Sequence, residues 1–171
     1  NVAVGTNALR YNVNGDRAVA IGYNALQAQA PTSANTDTYN VAIGLNSQFS
    51  VTTGTFNTTV GGYTMANGTD SSYNVAVGYG TLHTNITGDN NVAIGHNAGH
   101  YLTSANNTIV GHTAGDEITT GDTNLVLGYA AGSGSSPFQL TTQSNRIILG
   151  SNASTDAYIK IDWTVTSDKR D

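Results

Sequence analysis

Histidines and carboxylates are the residues in this chain with chemistry to offer, and their spacing sets what that chemistry can be. His96 and His112 each stand one residue after a glycine, Gly95 and Gly111, and His100 lies four residues after His96. Imidazoles stacked in successive repeats, and multiplied in an oligomer, can ligate a transition metal. The same place, however, holds Tyr23, Tyr79 and Tyr129. The shared property is a flat ring, so a structural ring ladder is expected there and no metal. The acids Asp16, Asp89 and Asp122 follow Gly15, Gly88 and Gly121, and Gly-Asp ahead of a strand is a turn signal. Glycoside cleavage needs two carboxylates set across a cleft, whereas the one adjacent pair, Asp116-Glu117, falls in a turn. There is no Gly-x-x-x-x-Gly-Lys phosphate loop, no serine elbow after a strand and no Gly-Gly-x-Gly-x-Asp calcium repeat. With no cysteine, thiol and disulfide chemistry are absent. The chain reads as a non-enzyme without catalytic residues or cofactor. Exposed tyrosine among Asn and Thr is a common carbohydrate-binding surface, which makes Tyr23, Tyr79 and Tyr129 the candidate receptor surface; plain stacking between repeats is the alternative.

The elements that position these residues repeat on a clock. Gly5, Gly22, Gly44, Gly61, Gly78, Gly95, Gly111, Gly128 and Gly150 each end a short apolar run, at a spacing of 17 residues that is stretched twice to 22 and cut once to 16. A fixed internal period specifies a stacked architecture whose units cannot bury their own faces. The runs before the glycines, such as Asn40-Val41-Ala42-Ile43 and Asn91-Val92-Ala93-Ile94, are β-branched and strand-like. Each repeat is expected to hold two short strands and two turns, and no segment keeps a helical period. The expected fold is all-β, a β-solenoid or β-roll of about nine 17-residue coils over residues 1–150, stacked to roughly 40 Å at one strand spacing per coil.

Within the run, side chains alternate faces. The Val/Ile positions are assigned to the coil interior. The middle position carries alanine in Ala3, Ala20, Ala42, Ala76 and Ala93, and a column so small and apolar suits close approach of a neighbouring copy. These alanines are therefore the expected seam of a closed cyclic oligomer, a homotrimer either intertwined or side by side. Four residues before the glycine stands asparagine, at Asn40, Asn57, Asn74, Asn91, Asn107 and Asn124 among others, placed to hydrogen-bond along the stack as a ladder. Insertions near 28–38 and 134–143 hold the two prolines, Pro31 and Pro137, and read as projecting loops and candidate recognition elements. Residues 151–171 form a separate tail, in which Tyr158 to Trp163 alternates like a strand that caps the stack.

Composition narrows the partners. Charged residues are 10% of the chain and the net charge is −5, which argues against nucleic acid and anionic membranes. No apolar run approaches a membrane span, and no signal peptide stands at the start, although Asn1 already lies inside a repeat and the chain reads as a fragment.

The repeated Asn-Val-Ala-Ile-Gly-x-x-Ala resembles the left-handed β-roll heads of trimeric autotransporter adhesins and of many phage tail fibres, over residues 1–150; those heads use a shorter period. Arg146 to Gly150 followed by Trp163-Thr164-Val165-Thr166-Ser167-Asp168-Lys169-Arg170-Asp171 resembles the entry into the C-terminal intramolecular chaperone of phage fibres and spikes. That family trimerises its fibre and then cleaves itself at a Ser-Asp junction with help from a nearby lysine. The resemblance implies Ser167-Asp168 as the junction, with the lysine beyond Asp171 and not in this chain. It also implies a virion location, attachment to a bacterial surface glycan or outer-membrane receptor, and help from the chaperone in folding. The alternatives are the head of a secreted trimeric adhesin at the bacterial surface and a glycan-degrading tailspike.

Overall fold

The computed structural model describes residues 1–134, 139–151 and 153–155. Nine three-residue strands stack in one parallel sheet: β1 Val2–Val4, β3 Val19–Ile21, β5 Val41–Ile43, β6 Thr58–Val60, β7 Val75–Val77, β8 Val92–Ile94, β9 Thr108–Val110, β10 Leu125–Leu127 and β11 Ile147–Leu149. Two further pieces, β2 Gly15–Asp16 and β4 Thr36–Asp37, pair with each other. Register follows the repeat, with Val75 beside Val92 and Ala76 beside Ala93. The chain is thus an all-β solenoid advancing one strand per coil, with no helix among the described residues.

The glycine clock has two causes. Each marker glycine from Gly5 to Gly128 sits at a strongly positive φ, 137° at Gly95 for example, a region closed to most side chains. A Cβ on Gly5 would also lie 2.6 Å from the carbonyl oxygen of Gly22 in the next coil. Strain and overlap both demand hydrogen.

The opposite wall is not a second strand, contrary to expectation. Two successive turns follow Gly95: Ala98 N–H donates to the Gly95 carbonyl and His100 N–H to that of Asn97, both at 3.3 Å. The third residue of each turn, Asn97 and Gly99, has φ of 54° and 58°, as a type II turn requires. Coils still bond to one another along this wall, as where Leu82 N–H donates to the Ala98 carbonyl at 3.1 Å.

The faces of the strand are the reverse of the sequence expectation. Ala20, Ala42, Ala76 and Ala93 are fully buried inside the single chain, so they form the interior of the coil and not a seam between copies; Ala3, in the first coil, is exposed. The turn wall comes close, and the residues facing it must be small where the wall is large. Leu82 lies opposite such alanines. Where the wall carries Gly99, Gly115 and Gly132, the middle strand residue grows to Ile109, Val126 and Ile148. A Cβ on Gly99 would stand 3.1 Å from Ile109 Cδ1. Large against small is exchanged for small against large, keeping the core filled.

The first insertion does not project freely. Thr36 N–H donates to the Asn14 carbonyl, Asn14 Nδ2 donates to the Pro31 carbonyl, and Arg17 and Asp37 form an ion pair at 2.7 Å. The second insertion lies partly outside the described residues. Trp163 and the Ser167-Asp168 junction lie wholly outside them.

Candidate functional surface

Because the alanines turn inward, the Val/Ile positions turn outward. Ile21, Val60, Val75 and Ile94 are each 37–41% exposed although they sit mid-stack. Two columns of valine, isoleucine or leucine side chains, broken by the polar Thr58 and Thr108, run the length of the sheet. A face this long and apolar is unusual on a surface that meets only water.

Beneath it the asparagine ladder is realised, in a more precise form than the sequence suggests. Asn40, Asn57, Asn74, Asn91, Asn107 and Asn124 are buried. Each Oδ1 accepts from the backbone N–H of the next rung, as Asn74 does from Asn91 at 2.9 Å. In Asn74 the Nδ2 donates to the Gly88 carbonyl at 3.0 Å. The ladder thus runs mainly from amide to backbone, with amide-to-amide bonds from Asn74 to Asn57 and from Asn107 to Asn91, tying strand to turn and coil to coil.

Aromatic rings border the apolar face on both sides. One column, directly after the marker glycines, contains Tyr79, His96, His112 and Tyr129, stacked at centroid distances of 5.6, 5.0 and 5.5 Å. The ring ladder expected from the sequence is present. It sets one face of Tyr79 against His96 and one face of Tyr129 against His112, and both tyrosines stay exposed. Tyr23 stands in the same column several coils away and is 53% exposed. The three tyrosines are not brought together.

The other column, five residues before the glycines, was not foreseen. Tyr39, Phe56 and Tyr73 stack at 5.1 and 5.0 Å, and the Arg17 guanidinium lies 5.3 Å from the Tyr39 ring centre. All three rings sit on left-handed backbone, with φ of 49°, 58° and 60°, where later coils place Asn90, Asn106 and Asn145. Asparagine tolerates that conformation well, and aromatics adopt it at a cost. The register of these rings was readable, but a bulky ring is not expected at such a backbone.

The remaining chemistry is structural. Asp89 Oδ1 accepts from Ser72 N–H at 2.7 Å and Asp122 Oδ1 from Ala105 N–H at 3.0 Å, each bridging to the preceding coil. Asp116 lies in a turn, and Asp16 pairs in β2 beside Asp37. A third ring pair, His83 on His100 at 4.9 Å, is half-buried, and burial followed by the charge of His100 holds the His83 pKa below its ordinary value. His100 Nδ1 donates to the Gly80 carbonyl at 3.0 Å. Stacked imidazoles point their nitrogens side by side, and among the described residues no three His, Asp or Glu converge on a metal position.

No family model, curated protein or solved structure matches the chain.

Proposed function

We propose that this chain is a structural, receptor-presenting segment of a trimeric phage tail fibre that helps attach the virion to a bacterial surface glycan or outer-membrane receptor. One observation carries the reading: the long apolar sheet face, which needs a cover. With four outward columns about 6.7 Å apart and nine strands about 4.8 Å apart, the face measures roughly 20 by 40 Å, or about 800 Å². That is what one partner contributes to a standard stable interface. A second copy of the chain carries the same face and can bury it. The seam of the trimer is therefore the Val/Ile columns in place of the alanines. The chain acts by shape, holding several weak sites rigidly so that their effective concentration is raised, and not by catalysis. The tail after Gly150 leads into an intramolecular chaperone that aligns the three chains, with Ser167-Asp168 as the scissile junction. Sedimentation equilibrium tests the reading. It expects a species of three times 17.7 kDa, and a monomer at every concentration would overturn it.

A further inference from the structure

In five coils the two borders of the apolar face pair by size or chemistry; the coils of Gly44 and Gly128 carry Tyr39 with Leu45 and Thr123 with Tyr129. In the coil of Gly61 the bulky Phe56 stands on one border and Gly62 on the other. In the coil of Gly78 the borders are Tyr73 and Tyr79, both exposed rings. In the next two coils the chemistry changes on both sides at once: Asn90 accompanies His96, and Asn106 accompanies His112. Near the other end, Arg17 accompanies Tyr23. Large meets small, ring meets ring, amide meets imidazole and cation meets ring, although the two members of each pair lie on opposite edges of their own chain. Complementarity between opposite edges is meaningless within one chain. It has a use when the edge of one copy meets the opposite edge of the next.

The rings on left-handed backbone point the same way. Asparagine is the natural residue there, and the structure uses it at Asn90, Asn106 and Asn145, with Arg17 and Thr123 on the same backbone in two further coils. Tyr39, Phe56 and Tyr73 accept a disfavoured backbone while remaining 40–56% exposed. Residues held in sparsely populated conformations cluster where a site requires them.

Resting on the assembly reading above, we infer that copies of this chain associate head to tail around an axis parallel to the stack, in register, with the Arg17–Tyr39–Phe56–Tyr73 border of each meeting the Tyr23–Tyr79–His96–His112 border of the next. Rotation about such an axis brings together residues at one height, so each coil meets its own number in the neighbour.

The absence of cysteine makes this directly testable. Positions 56 and 62 of one chain flank β6 on either side, and the strand with its neighbours holds them about 13 Å or more apart, beyond the roughly 7 Å between Cα atoms that a disulfide can span. A disulfide between them must join two copies. A Cβ at Gly62 meets nothing closer than 3.4 Å, so Gly62→Cys is accommodated. The double variant Phe56→Cys/Gly62→Cys, oxidised with diamide, should run on a denaturing gel as linked chains up to a closed trimer. Asn106→Cys/His112→Cys should do the same from exposed polar sites, which keeps the test alive if the first variant fails to fold. The off-register pair Phe56→Cys/His112→Cys should remain monomeric on the gel. Association of the unmodified chain in the centrifuge without in-register linking, or with linking of the off-register pair, would overturn this inference and leave the assembly reading standing. Absence of association would overturn both.

Discussion

At the residue scale the buried asparagines carry the most consequence. Asn74 accepts from Asn91 N–H and donates to the Gly88 carbonyl, in a site without water access. Asn74→Ala leaves the Asn91 N–H buried and unpaired, whereas the Gly88 carbonyl keeps its bond from Asn85 Nδ2, and one such unpaired group costs about 1–3 kcal/mol. A loss of about 2 kcal/mol in urea unfolding is expected, well above that for an exposed asparagine such as Asn90. His83 gives a pH dependence. Its folded pKa is depressed, so the unfolded chain takes up a proton first as pH falls. Its contribution is complete above about pH 6.5 and declines as pH drops from there toward the folded value. The urea midpoint should fall on acidification through that window, and His83→Gln should reduce the fall. An unchanged dependence in the variant would assign the effect elsewhere.

At the element scale the sequence displayed the strands almost completely. Nine β-branched runs ending in glycine became nine parallel strands, because a three-residue strand is specified by its own residues and by its copy in the next coil. What it hid was which face looks inward. Alternation gives two faces but no direction, and both were apolar. The deciding quantity is the distance to the opposite wall, which depends on turns whose left-handed residues include Leu26, Met65 and Leu82. Propensity gives no warning of leucine or methionine there. The compensation between wall and strand makes a sharp prediction. Ile109 fills the space left by Gly99 and Gly115, and glycines have no side chain to move into a void. Ile109→Ala should cost about 4–5 kcal/mol, at the upper end for such truncations, measured by chemical denaturation. A loss near 2 kcal/mol would mean that the coil collapses around the cavity.

At the scale of the whole molecule the argument turns on the outward face. Val75 and Val92 lie mid-stack on the same column, and neither side chain points into the core. Val75→Asp should leave the circular dichroism and unfolding midpoint of the single chain nearly unchanged while abolishing association in the centrifuge. Loss of folding in the variant would instead show that the face supports the coil itself. The candidate surface was only half readable from the sequence. The ring ladder through His96 and His112 followed from equivalent positions. The opposing column through Phe56 required a backbone that local rules assign to glycine and asparagine.

The direction of the hydrogen bonds has a mechanical meaning. Strands lie across the stack, so the bonds between them, such as Thr58 N–H to the Asn74 carbonyl at 2.8 Å, run along its length. A force pulling on the two ends loads these bonds in tension and concentrates on the weakest junction between coils, where a lone chain opens like a zipper, rung after rung. Chains bound side by side with matched heights cannot open singly: a rung in one is held shut by the intact rungs beside it. Rupture then requires simultaneous failure at one level, and tensile strength rises with the number of chains although no bond has become stronger.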